Sequence, residues 1–162
     1  MTALAKVLLV DDERAFVAIL TQRLTERNCS VNFAHNGKDA LAKLEEDKDI
    51  EVVILDVKMP DLDGIETLKL IKEKWPLVEV LMLTAHSTID SAINSIKLGA
   101  YDYILKPIQM EELVSKIEKA ASKKRNRDKL ILEVYMTPYL TQREREEQIE
   151  KILDSEAKSS GV

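Results

Sequence analysis

The sequence predicts an α/β domain: a doubly wound, five-stranded parallel sheet, (βα)5, with a helical extension at its C-terminus. Two observations carry this. Short apolar runs alternate five times with stretches of helical apolar spacing, the pattern of βα units. The runs 6–10, 52–55, 80–83 and 103–105 also each end in a chemically capable side chain: Asp11 with Asp12, Asp56, Thr84 and Lys106. In a parallel sheet these ends share the carboxyl edge, where open α/β sheets bind ligands.

The elements follow in order. A strand at 6–10 leads to a helix at 14–27, with Phe16, Ile19, Leu20 and Leu24 on one face. A second strand covers 31–34, and Asn36-Gly37 turns the chain into a helix over 38–47. The strand at 51–55 is apolar after Glu51, as expected of a central strand covered on both faces. A loop at 59–64 with proline and glycine precedes a helix at 65–74, which Pro76 helps to end. Strand four is 78–83. Ser87 or Thr88 caps the next helix, which runs to Leu98 and stops at Gly99. Strand five is 102–105, and a last helix starts near Gln109 or Glu111.

This fills a domain by residue 121 and leaves 122–162 as a helical tail with no separate output domain. The tail opens with the basic run 123–127. It continues with an apolar cluster around Leu130, Ile131 and Val134, and Thr137-Pro138 reads as the start of a further helix. Leu113, Ile117, Ala120, Lys124, Arg127, Ile131 and Val134 also follow a 4-3 spacing, so the last helix can run on to Met136 and offer a seam to a second copy.

Composition excludes several classes. The formal net charge is −5. Residues 1–122 hold 15 basic and 21 acidic side chains, leaving 9 and 8 for the tail, so nucleic-acid binding has little support. The lone Cys29 excludes an internal disulfide and reads as a small buried thiol. No apolar run approaches ~18 residues, and the N-terminus lacks the pattern of a secretion signal, so a cytoplasmic location off the membrane is expected.

Asp11, Asp12 and Asp56 gathered in one crevice would repel one another unless a cation joined them. All-oxygen ligands suit a hard divalent ion, and Mg²⁺ is the expected one. Asp56, at the end of a central strand, can attack a phosphoryl group and form an acyl phosphate. Lys106 would supply a point charge to a phosphoryl oxygen or to the Asp56 carboxylate, and Thr84 a hydroxyl hydrogen bond.

The acidic pair Asp11-Asp12, Asp56 with Met59-Pro-Asp-Leu-Asp-Gly64 after it, Thr84-Ala85 and Lys106-Pro107 together resemble the receiver domain of bacterial response regulators, over residues 4–121. The segment 99–107 looks like receivers of the nitrogen-regulatory type. The resemblance implies a flavodoxin-like fold. It also implies Asp56 as phosphoacceptor, direct Mg²⁺ ligation by Asp12 and Asp56, Asp11 through water, and the Lys58 carbonyl as a further ligand. It makes Thr84 and Tyr103 a switch pair, and allows a cis Lys106-Pro107 bond. The family's two positions that tune phosphoryl lifetime fall on Lys58 and His86. The implied partners are a sensor histidine kinase or phosphotransfer protein and a downstream protein effector. Contact would be through the fourth helix, fifth strand and last helix, near Ile89, Ile93, Ala100 and Tyr101.

The expected function is thus a single-domain response regulator, not an enzyme beyond its own phosphorylation and dephosphorylation. One alternative is a DNA-binding transcriptional regulator using the basic tail. Another is a phosphatase of the haloacid-dehalogenase type, suggested by Asp61-Leu-Asp63-Gly64. Against it, Asp56 and not Asp61 takes the strand-end place.

Overall fold

The computed structural model describes residues 2–85 and 89–154. In chain order the elements are β1 (Ala5–Val10), α1 (Arg14–Glu26), β2 (Cys29–Ala34), α2 (Gly37–Glu46), β3 (Val52–Asp56), α3 (Gly64–Lys74), β4 (Glu79–Thr84), α4 (Ile89–Lys97), β5 (Asp102–Leu105), α5 (Met110–Met136) and α6 (Gln142–Asp154). All strand pairs are parallel, in the order β2-β1-β3-β4-β5. The connections run outward in both directions from the β1–β3 pair, so the switch point lies between these strands.

Strand residues alternate between the two faces. Val7, Leu9, Ile54 and Leu81 pack in the core shared with Leu20 and Leu24 of α1 and Leu113 and Ile117 of α5. Leu8, Val53, Leu55 and Val80 pack on the other face with Leu44 of α2 and Leu68 and Ile71 of α3. Every residue of β3 and β4 is buried, which explains their nearly unbroken apolar sequence.

Local chemistry sets the boundaries. The Asn36 side chain accepts the Asp39 N–H at 2.8 Å, so α2 begins at Gly37, one residue earlier than expected. Asp63 caps α3 by accepting the Glu66 N–H at 2.8 Å. Gly99 adopts φ 104° and ends the α4 turn, as its sequence position foretells. The expected caps Ser87 and Thr88 lie outside the described residues. β2 is longer than expected and includes Cys29, whose buried thiol is pushed up in pKa by burial.

Two expectations about helix faces need correction. In α1 the buried residues are Val17, Leu20 and Leu24, while Ile19 is 55% exposed. At about 100° per residue, Ile19 falls well outside the stripe that these three define.

The seven-residue seam of α5 is the second. This helix is continuous over 27 residues and passes residue 121 without a break. Its seam members Leu113, Ile117, Ala120, Arg127 and Val134 are buried within the chain's own fold. These five members therefore face their own molecule, with Lys124 and Ile131 half-buried beside them. Arg127 reaches the buried Glu79 at the start of β4 and donates to the Pro76 carbonyl at 3.2 Å.

Thr137 does not start the last helix but forms the C-cap of α5, with Pro138 after it where the helix cannot continue. α6 is instead opened by Thr141 and Glu144. The Thr141 N–H donates to the Glu144 carboxylate at 2.8 Å, and the Glu144 N–H to Thr141 Oγ1 at 3.2 Å. This reciprocal pair is a capping box. Among the described residues, no helix is long and apolar enough to cross a membrane.

Candidate functional site

β1 and β3 lie side by side, with Val10 opposite Leu55, so the residues that follow them, Asp11 and Asp56, emerge together at the switch point. Carboxylate oxygens of Asp11, Asp12 and Asp56 lie within 4.8 Å of one another. Asp11 is 1% and Asp56 7% exposed, while Asp12 faces solvent. Burial, and then the neighbouring Asp11 charge, push the Asp56 carboxyl from its ordinary value of 3.8 up to about 6. Lys106 and the Lys58 N–H, which donates to the carboxylate, oppose that rise without cancelling it.

Asp11 is fixed on several sides. One carboxylate oxygen accepts the Glu13 N–H at 2.9 Å, and the other accepts Lys106 Nζ at 2.8 Å. Its backbone carbonyl lies 3.1 Å from His35 Nδ1, which must donate because a carbonyl oxygen only accepts. Lys106 thus rests on Asp11, the more deeply buried acid, and not on Asp56 as the sequence reading allowed. Its Nζ also lies 4.0 Å from the centre of the Phe16 ring.

β4 and β5 supply the rest. Thr84 is buried at the end of β4, and its carbonyl accepts the Lys106 N–H at 2.9 Å. The Lys106-Pro107 bond is cis, as the resemblance allowed. Tyr103 packs on the core face shared with α2 and α3. Its hydroxyl is buried without a hydrogen-bond partner among the described residues. Lys58 is exposed and, with Asp12, Met59, Pro60 and Asp63, lines an open cleft beside the three acids. His86 lies outside the described residues. Gly64 is needed here because a Cβ on it would come within 2.1 Å of the Asp56 carbonyl oxygen.

Asp11, Asp12 and Asp56 cluster at one edge with Lys106 on Asp11, and Thr84 is joined to Lys106 through its backbone carbonyl. By sequence alone His35 has no assigned role, and Phe16 belongs to the apolar face of the first helix. His35 directly follows β2, so its place at the carboxyl edge was readable. The approach of Phe16 to Lys106 had no signal in the sequence.

The model of the response regulator receiver domain matches residues 7–118. The chain belongs to this family. Receiver domains are signalling modules of two-component systems that bind Mg²⁺ at an acidic pocket. Among similar proteins, the transcriptional regulatory protein ZraR of Salmonella typhimurium is 40% identical over 114 residues, covering 70% of this chain and 26% of ZraR. The DNA-binding transcriptional regulator NtrC of Proteus hauseri is 35% identical over 114 residues, covering 70% of this chain and 24% of NtrC. This chain thus spans about a quarter of the length of these curated relatives.

Solved receiver structures agree with the fold. One from Clostridium thermocellum has TM-score 0.72 and 34% identity, covering 75% of this chain and 97% of that one. The NtrX receiver domain of Brucella abortus has TM-score 0.67 and 30% identity, covering 72% and 98%.

Proposed function

We propose that this chain is a cytoplasmic phosphoacceptor module in which Asp56 takes a phosphoryl group from a histidine kinase or phosphotransfer protein. The observation that carries the reading is the buried Asp56 carboxylate at the end of central β3, within 4.8 Å of the acids of β1. With a pKa near 6, Asp56 is mostly ionised at neutral pH and is a competent nucleophile. One carboxylate oxygen attacks phosphorus, the bond from phosphorus to the donor breaks, and an acyl phosphate remains on Asp56. Lys106 would move from Asp11 towards the new charge, and the Thr84 hydroxyl would donate to a phosphoryl oxygen.

The donor set fits a hard divalent cation, since three carboxylates cluster together and one lysine, paired with Asp11, accompanies them. Asp12, Asp56 and the Lys58 carbonyl would hold Mg²⁺, with Asp11 in support. When bound, Mg²⁺ supplies neutralisation of the charge on the transferring group. Any turnover is confined to phosphate on Asp56 itself. Asp63, the second acid of the phosphatase-like motif, is engaged as the α3 cap.

Output is proposed to be protein contact through the α4, β5 and α5 face, where Ile93, Ile96 and Leu105 are exposed. Thr84 and Tyr103 would couple the site to this face. Lys58 and His86 would shield the acyl phosphate from water. Replacing both by small residues is expected to shorten its lifetime, read as the hydrolysis rate. A DNA-binding output is the second reading, because the names of the relatives include it. The pairing of the basic run within the chain weakens DNA contact through that run. Lys124 pairs with Asp128, Arg125 with Glu51 and Arg127 with Glu79, so these cations are engaged within the fold.

The deciding experiment is intact mass after incubation with acetyl phosphate and Mg²⁺. One labile phosphate is expected on the native chain and none on Asp56→Asn or without Mg²⁺. Equal labelling of native and variant chains would refute the assignment. A salt-dependent shift of duplex DNA would favour the second reading of output.

A further inference from the structure

We propose that Phe16 is a positioning residue for Lys106: its ring face keeps the lysine amine at the acidic edge while the amine changes partner. The inference rests on the phosphoacceptor reading above. In the resting structure Lys106 Nζ sits 2.8 Å from Asp11 and 4.0 Å from the Phe16 ring centre. The lysine side chain is only 14% exposed, so the carboxylate and the ring together replace much of the water an amine would otherwise hold. Phe16 lies in the first turn of α1, is half-buried and packs against the core cluster that β1 and α5 share.

The two contacts differ in kind. The bond to Asp11 is directional and must break if the amine is to reach charge developing at Asp56. The π face is broad, and attraction to it persists as the amine shifts across it. Without the ring, an amine leaving Asp11 would find water and the freedom of its four-carbon stem. Four other lysine–aromatic approaches are seen among the described residues, at 4.9 to 5.8 Å from the ring centres, and none of them involves a side chain of the acidic site. The Phe16 contact is shorter than all four and is made by the cation of the site itself.

The test compares Phe16→Leu, which keeps apolar bulk, with Phe16→Tyr, which keeps the ring, in the full chain. The first readout is the NMR shift of the Lys106 Hε protons, assigned through Lys106→Arg. A ring-current displacement is expected in the native chain and in Phe16→Tyr, and not in Phe16→Leu. The second is the rate of Asp56 labelling by acetyl phosphate across a Mg²⁺ titration. Phe16→Leu is expected to lower the maximal rate by about threefold to tenfold with unchanged half-saturating Mg²⁺, and Phe16→Tyr to restore it.

A native-like rate in Phe16→Leu, or equal losses in both variants, would overturn the proposal. If Phe16→Leu does not fold, Phe16→Met provides bulk without a ring. A native chain that takes no phosphate would sink the phosphoacceptor reading. The Lys106 shift still tests the contact independently, and its absence from the native spectrum would sink the Phe16 proposal.

Discussion

Asp56 is held where its charge is unwelcome, and that has a measurable consequence. Its carboxyl titrates near 6 in the fold against an ordinary 3.8, so the folded chain binds more protons between those values. Stability from this group is therefore greatest below about pH 4, falls as pH rises through the window to about 6, and stays lowered above it. With a chelator present, Asp56→Asn is expected to stabilise the chain by roughly 1–3 kcal/mol near neutral pH. Denaturant unfolding at several pH values should show the gain vanish towards about pH 4. Mg²⁺ needs the ionised carboxylate, so its affinity should weaken roughly tenfold for each pH unit below about 6, read by calorimetric titration. The residues of this site were legible because each directly follows an apolar run. The resting partner of Lys106 was not, because it depends on how a side chain from the end of β5 crosses to β1 and α1.

Between elements, the firmest tie is Arg127 of α5 to Glu79 of β4, both buried. Lys123 also approaches Glu79, at 3.9 Å, and Lys72 lies near enough to feel its charge. Arg127→Met should leave Glu79 short of its main partner in a dry site and cost about 3 kcal/mol in denaturant unfolding. Adding Glu79→Gln should recover part of that loss; a cost that is simply additive would show the pair to be uncoupled. The seam places two charged residues, Lys124 and Arg127, at apolar positions, and only the place of Glu79 at the amino end of β4 explains Arg127. Thr141→Ala should remove the α6 capping box at about 1 kcal/mol, seen as faster amide exchange in the first turn of α6. The Thr-x-x-Glu signal at 141–144 was readable in the sequence. Thr137-Pro138 competed with it, and proline after a C-cap looks locally like proline at a helix start.

At the scale of the whole molecule, the arm formed by the end of α5 with α6 and the sheet are expected to unfold as one unit. Trp75 is the chain's single tryptophan and shares a surface pocket with Lys124 at the base of the arm. Its fluorescence and the far-ultraviolet helical signal should give coincident denaturant transitions. A helical signal that falls first would show α5 beyond Arg127, with α6, to be a separate unit. A parallel sheet covered on both faces was foreseeable from five apolar runs alternating with helical patterns, whereas its strand order followed only from the family resemblance. The docking of the tail was not foreseeable, since its charges balance and its apolar residues fit either an inward or an outward seam.

Arg125 and Arg127 pin α5 to the amino edge of the sheet, donating to Leu4 and Glu51, and to Pro76 and Glu79. Beyond that pin the helix advances by about 1.5 Å and turns by about 100° with each residue. The number of residues between Arg127 and Val134 therefore works as an angular dial. One residue inserted there would swing α6 more than a quarter-turn around the arm while hardly changing its reach. Seven inserted residues would bring it nearly back to its original bearing, about 10 Å farther out.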